Sequence, residues 1–523
     1  MISLLGALAL LATEAQADDK LDCFSPTTAT PARAIACGAV ANDSALPATM
    51  RADALIARAA ISDGTQALRD YDAALRLVPD DVPALVARGK LREAANDLTG
   101  AEADYSAALA KQPALGEALA RRGALRIKQG KTEAGLADLG DARRYAPNDP
   151  VPFRIRGRML LDQGKIAEAR AELAQAIALD PGDAESTTLL GTADLRGNQS
   201  AEAIAAFSAV LARDPTHVEA LRGRATAYGR QENFAAAIAD LDALLKRAPN
   251  DVPALKARGV ARLQSGGPAE AIPDFTRLLE STDDIEARFF RATAYFRNRQ
   301  PHEAESDFSA VLTQAPGEPD ALSGRGLARL MQGELAAAEA DFTAALAAKP
   351  GAGDILGNRG QLRLLRGDFA GADADLGLAL NTDAANLTLA LWRSITGLRA
   401  GREARVVRAE LDTVSRRLGR STWPSPVVAH SLGALSDAEL LVAARQGEAD
   451  ADLRLSETYF YLGEEALIRG AKPEAERMFR QALTRGVHGS FADIGAQIEL
   501  AKLGARVAPD SGNRFPDNAT RQP

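Results

Sequence analysis

The chain of 523 residues is poor in the side chains that most chemistry needs. It has two cysteines and four histidines (His217, His302, His430 and His488), and no histidine lies near a cysteine in sequence, so no metal-binding spacing is present and no metal is expected. No G-x-S-x-G, H-E-x-x-H, C-x-x-C or phosphate-binding P-loop occurs, so the chain is not expected to be an enzyme or to hold a cofactor. Aromatic residues are 5 % of the total, which leaves alanine, leucine and other small contacts to build any core. After the first 17 residues no apolar run is long enough to cross a membrane. An excess of basic residues is lacking too: the net charge is −8 and the pI about 5.4, which argues against a general nucleic-acid binder.

What the chain has in abundance is a repeat. Prolines stand at Pro79, Pro113, Pro147, Pro181, Pro215 and Pro249, each 34 residues after the last. Asp283 takes the next slot, Pro316 comes one residue early, and Pro350 and Ala384 follow. Proline there ends one helix and stiffens the passage to the next unit. Within a unit, the stretch from Pro319 to Ala352 reads as two short helices joined by a turn at Gly333. Helices this short are marginal alone, so each unit needs copies of itself on either side. Eight positions into each unit stands a small residue, such as Gly89, Gly157, Gly259, Gly326 and Gly360. Another stands at position twenty, such as Ala101, Ala271 and Ala338, and four residues later comes an aromatic or a leucine, such as Tyr105, Phe275 and Phe342. One helical turn separates the last two, so the small residue admits a neighbouring helix and the large one fills the space beside it.

This pattern resembles the tetratricopeptide repeat (TPR) family, especially members with an N-R-G-like first helix and an A-x-x-D-[FYL] second helix. The resemblance implies an all-α superhelical solenoid of about eleven to twelve helix-turn-helix repeats, here over residues 48–420, with a concave face lined by the first helix of each repeat. Length alone suggests several domains, but in a solenoid each unit packs only on its neighbours.

Position seven is nearly always arginine: Arg88, Arg122, Arg156, Arg224, Arg258, Arg291, Arg325 and Arg359. Such a ladder suggests phosphate binding, but sixteen residues later stand Asp104, Asp138, Glu172, Asp240, Asp274, Asp307, Asp341 and Asp375. Where Leu190 replaces the arginine, Ala206 replaces the acid. The joint loss favours a structural pair between the two helices of a unit over a ligand site. The first repeat, with Ala54 and Asp70, is the exception. Exposed pairs contribute ~0–1 kcal/mol, more when partly buried and bidentate.

Residues 1–17 carry an apolar run from Leu4 to Ala12 and a small-x-small end at Ala15-Gln16-Ala17. They resemble a secretory signal peptide, although no lysine or arginine precedes the run. Cys23 and Cys37 follow the cleavage point, and in an exported chain they are expected to form a disulfide. Its loop would stabilise by ~3 kcal/mol in the chain-entropy model and pin residues 18–47 as an N-terminal cap with a helix near Pro31–Val40. Asp22 before Cys23 departs from the lipoprotein pattern, so no lipid anchor is expected.

After Gly401 the pattern fades into a basic helix, Arg402 to Leu418. Pro424 and Pro426 are expected to forbid a helix and leave residues 421–435 as an extended Trp/Pro connector. Ser436 with Glu439 reads as a capping box. Leu455 to Val487 reads as a further repeat, with Gly463, Gly470, Ala475, Phe479 and Ala482 in register, and Phe491 to Leu503 as a last capping helix. Residues 505–523 have the composition of a disordered tail. The block 436–504, preceded by W-P-x-P and containing S-x-x-E-L and S-E-T-Y-F-Y-L-G, resembles the end of the NlpI-like periplasmic TPR adaptors. That resemblance implies a periplasmic scaffold of a Gram-negative bacterium that brings an envelope protease or cell-envelope assembly enzymes to their partners.

Binding of protein or peptide ligands in the concave groove is the function the resemblance leaves. Its second, fifth, ninth and twelfth positions place Val86, Lys90, Arg154, Arg158, Thr188, Thr192, Arg222 and Lys256 on that face. The eighth repeat adds four aromatics on one helix: Phe290 and Tyr295 read as core, and Phe289 and Phe296, seven residues apart on one face, as peptide anchors. Two other functions stay open: a cytoplasmic co-chaperone-like adaptor, if the leader reading fails, and a carbohydrate-binding envelope accessory protein.

Overall fold

A computed structural model describes residues 18–417, 423–446, 450–485 and 489–505. The expected leader and residues 506–523 of the expected tail lie outside the described residues. Among those described there is no strand, and no helix is long and apolar enough to cross a membrane. The protein is an all-α TPR solenoid, and its helix pairs fall into two compact units, residues 1–233 and 234–523.

In the first unit, helix Thr30–Asn42 is tied by the Cys23–Cys37 disulfide to the chain before it, and Arg33 Nε donates to the Cys23 carbonyl at 2.9 Å. Five helix pairs follow, beginning with Ala48–Ala59 and Gly64–Leu77 and ending with Ala184–Arg196 and Ser200–Leu211, and then helix Val218–Arg230. Many helices start at an aspartate whose carboxylate accepts a first-turn N–H, as Asp63, Asp81, Asp97 and Asp183 do. After the first pair, whose turn has none, the turns between paired helices of this unit each carry a left-handed residue. Gly130 and Gly164 supply it freely, whereas Asn96, Asn198 and Glu232 take φ near 60°.

The second unit opens with helix Phe234–Arg247 and continues with Val252–Gln264/Pro268–Leu279, Ile285–Arg297/Pro301–Gln314, Pro319–Met331/Leu335–Ala348, Gly353–Arg366/Phe369–Thr382 and Leu387–Arg399/Ala404–Ser415. In both units the seam is built as the period predicts, with one refinement. The small residue at position eight lies beneath the large one at position twenty-four. A Cβ on Gly89 would stand 2.7 Å from the Tyr105 ring, and one on Gly326 2.8 Å from Phe342. The position-twenty alanines, Ala101, Ala271 and Ala338 among them, are fully buried.

The connector departs from expectation. Pro424 and Pro426 do not keep it extended: helix Ser425–Ser431 forms, with Pro424 as its N-cap and Pro426 in its first turn. The first-turn N–H groups of a helix have no intrahelical partner, so proline there costs no hydrogen bond. Ser436 and Glu439 form the expected capping box at the start of helix Asp437–Ala444. Helices Ala451–Ile468 and Lys472–Leu483 then make a further pair, and Gly463 lies beneath Phe479.

The final helix, Phe491–Lys502, does more than close the stack. Lys502 Nζ donates to the Leu365 carbonyl at 2.6 Å, the Phe491 ring lies 6.2 Å from Trp392, and a Cβ on Gly489 would stand 2.5 Å from Met331 Cε. The helix therefore packs back on helices Gly353–Arg366 and Leu387–Arg399, and Gly489 ahead of it on helix Pro319–Met331.

Candidate partner-binding face

The arginine ladder is structural. Arg88 Nε and Nη2 grip Asp104 at 3.0 and 2.6 Å, and the same bidentate fork joins Arg122 to Asp138, Arg258 to Asp274, Arg291 to Asp307, Arg325 to Asp341 and Arg359 to Asp375. All six aspartates are buried. A second arginine, at position eleven, reaches five of them: Arg92, Arg126, Arg262, Arg329 and Arg363 each donate at 2.9 Å. The period reading missed this second arginine, and it accounts for the first repeat. There Arg58, at position eleven, forks onto Asp70 at 2.8 and 2.6 Å in place of the absent position-seven arginine.

Position eleven also ties neighbouring repeats. Arg126, Arg329 and Arg363 meet Glu102, Glu305 and Glu339, each 24 residues upstream. In the repeat that carries Leu190 and Ala206 the charges are exchanged: Asp194 stands at position eleven and Arg170, 24 residues upstream, meets it at 2.6 Å. Burial pushes the Asp194 carboxyl above its ordinary pKa, against the pull of Arg170.

The cations expected to face a partner are engaged as well. Lys90 pairs with Glu117, Arg154 with Asp183 and Glu185, Arg158 with Glu185, and Lys256 with Asp284 and Glu286. In each case an acid at or just before the start of the next repeat takes the cation. Burial alone would lower the Lys256 pKa, but its hydrogen bonds to Glu286 and Asp284 outweigh that and raise it. Thr188 and Thr192 turn their hydroxyls onto their own helix, at the Ala184 and Thr188 carbonyls. Arg222 is half-buried on helix Val218–Arg230. Val86 is not on an open face: it is 8 % exposed and belongs to the core with Tyr71 and Leu85.

In the eighth repeat the division into core and groove aromatics is less sharp than the spacing suggests. Phe289, Phe290, Tyr295 and Phe296 are all half-buried. Phe290 stacks on Phe275 at 5.9 Å, and Phe289 packs edge-on against Phe308 at 5.6 Å. Phe289 thus lends part of its ring to its own repeat, and Phe289 and Phe296 keep the rest open.

Beneath the final helix lies a buried charge cluster that no local pattern announces. Arg399 donates to Glu464 at 2.6 Å and lies 3.5 Å from Glu499, which Lys502 meets at 2.7 Å. Burial and the nearby Glu499 push the Glu464 carboxyl up to about 7. His430 places Nδ1 2.9 Å from the Leu435 carbonyl and Nε2 3.0 Å from Glu465, and the bond to Glu465 raises its pKa. Among the described residues no three His, Cys, Asp or Glu side chains converge as a metal site.

A family model described as tetratricopeptide repeat matches residues 52–115, 120–184, 188–252, 222–284, 256–319, 291–353 and 324–385. Similar solved structures include a tetratricopeptide repeat protein from Parabacteroides merdae, 21 % identical over 51 % of this chain and 98 % of that one, with a TM-score of 0.37. YrrB, a TPR protein with an unusual peptide-binding site, is 23 % identical over 36 % of this chain and 97 % of its own, with a TM-score of 0.29. PilW, a type IV pilus biogenesis factor, is 20 % identical over 37 % and 90 %, with a TM-score of 0.33. No curated protein matches the chain.

Proposed function

This chain belongs to the tetratricopeptide repeat family, and from that premise we propose that it is an exported scaffold that holds protein or peptide partners against the inner faces of its repeats. One observation carries the reading. The arginine–aspartate ladder is used up in holding helices together, while Phe289 and Phe296 keep open ring surface on a first helix. On this reading the protein binds and does not catalyse. The Cys23–Cys37 disulfide supports an oxidising compartment, for which the periplasm is our assignment. The sequence likeness of residues 436–504 to NlpI-like adaptors supports an envelope protease or envelope-assembly enzymes as clients. Residues 1–17 are then a leader removed on export, residues 18–47 the disulfide-pinned cap, residues 48–420 the array, and residues 436–504 its closing block.

Crosslinking in living cells, with mass spectrometry of both the partner and the mature N-terminus, tests the proposal. A chain starting at Asp18 with an envelope protein attached is the expected result. An intact Met1 with cytoplasmic partners would overturn export and favour a co-chaperone-like adaptor. Saturable glycan binding with no protein partner would favour the carbohydrate-binding alternative.

A further inference from the structure

The inner face of the second unit is apolar from the eighth repeat onward, and the chain itself covers part of it. Helix Phe491–Lys502 meets Trp392, Leu365 and Arg399, and Gly489 ahead of it lies beside Met331. On helices Ile285–Arg297 and Pro319–Met331, Phe289, Phe296 and Leu327 are half-buried. We infer that this uncovered strip takes a basic amphipathic helix of a partner protein, laid in the groove as the chain's own final helix is laid in the adjoining part. The inference rests on the scaffold reading above and names the chemistry of the partner.

Three observations carry it. First, Phe289, Phe296 and Leu327 pack against the same apolar cluster in which Ile494, Ile498 and Leu500 of the final helix are buried, so the strip is continuous with a helix interface already present in the molecule. Second, Phe289 and Phe296 stand two helical turns apart, about 10 Å along the axis, a length that suits one face of a docked helix. The strip offers little to an extended chain. The backbone of a helix is bonded within itself, and Thr293, between the two phenylalanines, turns its hydroxyl onto the Phe289 carbonyl at 3.0 Å. An extended segment would bury unpaired N–H and C=O groups there, whereas a helix satisfies its own. Third, the rim at the start of helix Pro319–Met331 carries Glu318 and Asp320, and the next repeat carries Asp354; all three are exposed and make no ion pair among the described residues. The groove cations Lys90, Arg154, Arg158 and Lys256 are answered by acids at the start of the next repeat, whereas these acids, at the equivalent start beside Phe289, are unanswered, so the border of the incoming helix should be basic.

The test uses the full chain and three synthetic peptides of about 18 residues, long enough for five helical turns. One carries a Leu/Ala stripe bordered by lysines, one the same stripe bordered by glutamates, and one is a scramble of the first. Fluorescence anisotropy should show the lysine-bordered helix binding at least about tenfold more tightly than the other two. Phe289→Ala with Phe296→Ala should weaken it about tenfold, as should the surface pair Glu318→Lys with Asp320→Lys, which leaves the core untouched and should favour the glutamate-bordered peptide instead. Equal binding of the scramble, or no response to the rim pair, would overturn the inference. A photocrosslinking side chain at Phe296, Lys90 or Arg158 in cells separates this inference from the scaffold reading. Capture of a basic helix-forming segment at Phe296 supports both. Capture there of an acidic or proline-rich segment, or capture only at Lys90 or Arg158, overturns the helix inference and leaves the scaffold. Capture at none of the three overturns both.

Discussion

The exchanged pair Asp194–Arg170 allows a direct test of how the repeats are held. Asp194 is 2 % exposed and Arg170 reaches it at 2.6 Å, whereas the homologous slots elsewhere hold an arginine and a glutamate, as in Arg126–Glu102. Asp194→Arg sets two guanidinium groups against each other. Arg170→Glu leaves a buried carboxylate facing a second one, with Glu202 also nearby and already raising the Asp194 pKa. Breaking a fully buried pair costs about 3–5 kcal/mol, and because Arg170 is partly exposed each single change should cost about 2 kcal/mol. The double change recreates the Arg126–Glu102 arrangement and should return to within about 0.5 kcal/mol of the parent, a coupling of about 3.5–4 kcal/mol. Urea unfolding followed by circular dichroism gives the global values. Hydrogen exchange across helices Ile166–Leu179 and Ala184–Arg196 shows whether the loss is local, as a stacked array requires. Additive single changes, with the double variant about 4 kcal/mol down, would refute the claim that position eleven and the residue 24 upstream act as one ion pair.

Other perturbations probe other parts of the design. Ala338→Leu inserts a branched side chain into a fully buried seam and should lower stability by roughly 1–3 kcal/mol, and an unchanged melting curve would sink the assignment of that seam. Glu232→Gly removes a side chain from φ 58° and should stabilise by about 0.5 kcal/mol, since relief of the left-handed conformation exceeds the added chain entropy; a loss of stability would contradict it. Removing the disulfide with Cys23→Ser and Cys37→Ser should cost about 3 kcal/mol and release protection chiefly in helix Thr30–Asn42, as read by hydrogen exchange. The closing block should be more stable at pH 5.5 than at pH 8. Its raised carboxyls, Glu464 at about 7 and Glu457 above its ordinary value, favour the folded state once protonated, so their cost grows as pH rises from 4.5 toward 7. His430, also raised, stabilises fully below 6.5 and loses that contribution as pH rises through its folded value, while Glu465, lowered, matters only below 4.5. Between pH 5.5 and pH 8 Glu464 alone contributes about 2 kcal/mol. Trp392 and Trp423 are the only tryptophans and both lie in or beside this block, so their fluorescence in urea reads the effect. A higher midpoint at pH 8 would refute it.

The features that repeat were legible because each is a local rule applied many times. Gly326 beneath Phe342 and Arg325 against Asp341 lie sixteen residues apart within one unit, and ten near-copies in phase make such spacings plain. Position eleven was hidden for a physical reason. Its arginine acts in two directions, onto the aspartate of its own repeat and onto an acid 24 residues upstream, and where one partner is missing the other still holds it. A single spacing therefore finds only part of the network, and Arg58 with Asp70 looks like an exception until the second arginine is known. The closing block was legible in its elements and not in its placement. Ser436 announces its helix through a capping box, and Phe479 announces its repeat through Gly463. Nothing within a 34-residue period tells that Lys502 will reach the Leu365 carbonyl, 137 residues away, or that Arg399 will be shared by Glu464 and Glu499. Those contacts depend on how far the chain curls after many small rotations between repeats, a sum over the second unit and not a property of any one repeat. The same curl decides which inner-face residues are covered and which stay open. Phe289 and Phe296 stay half-buried while Trp392 is packed beneath Phe491 of the returning helix, a difference that their own sequence context does not announce.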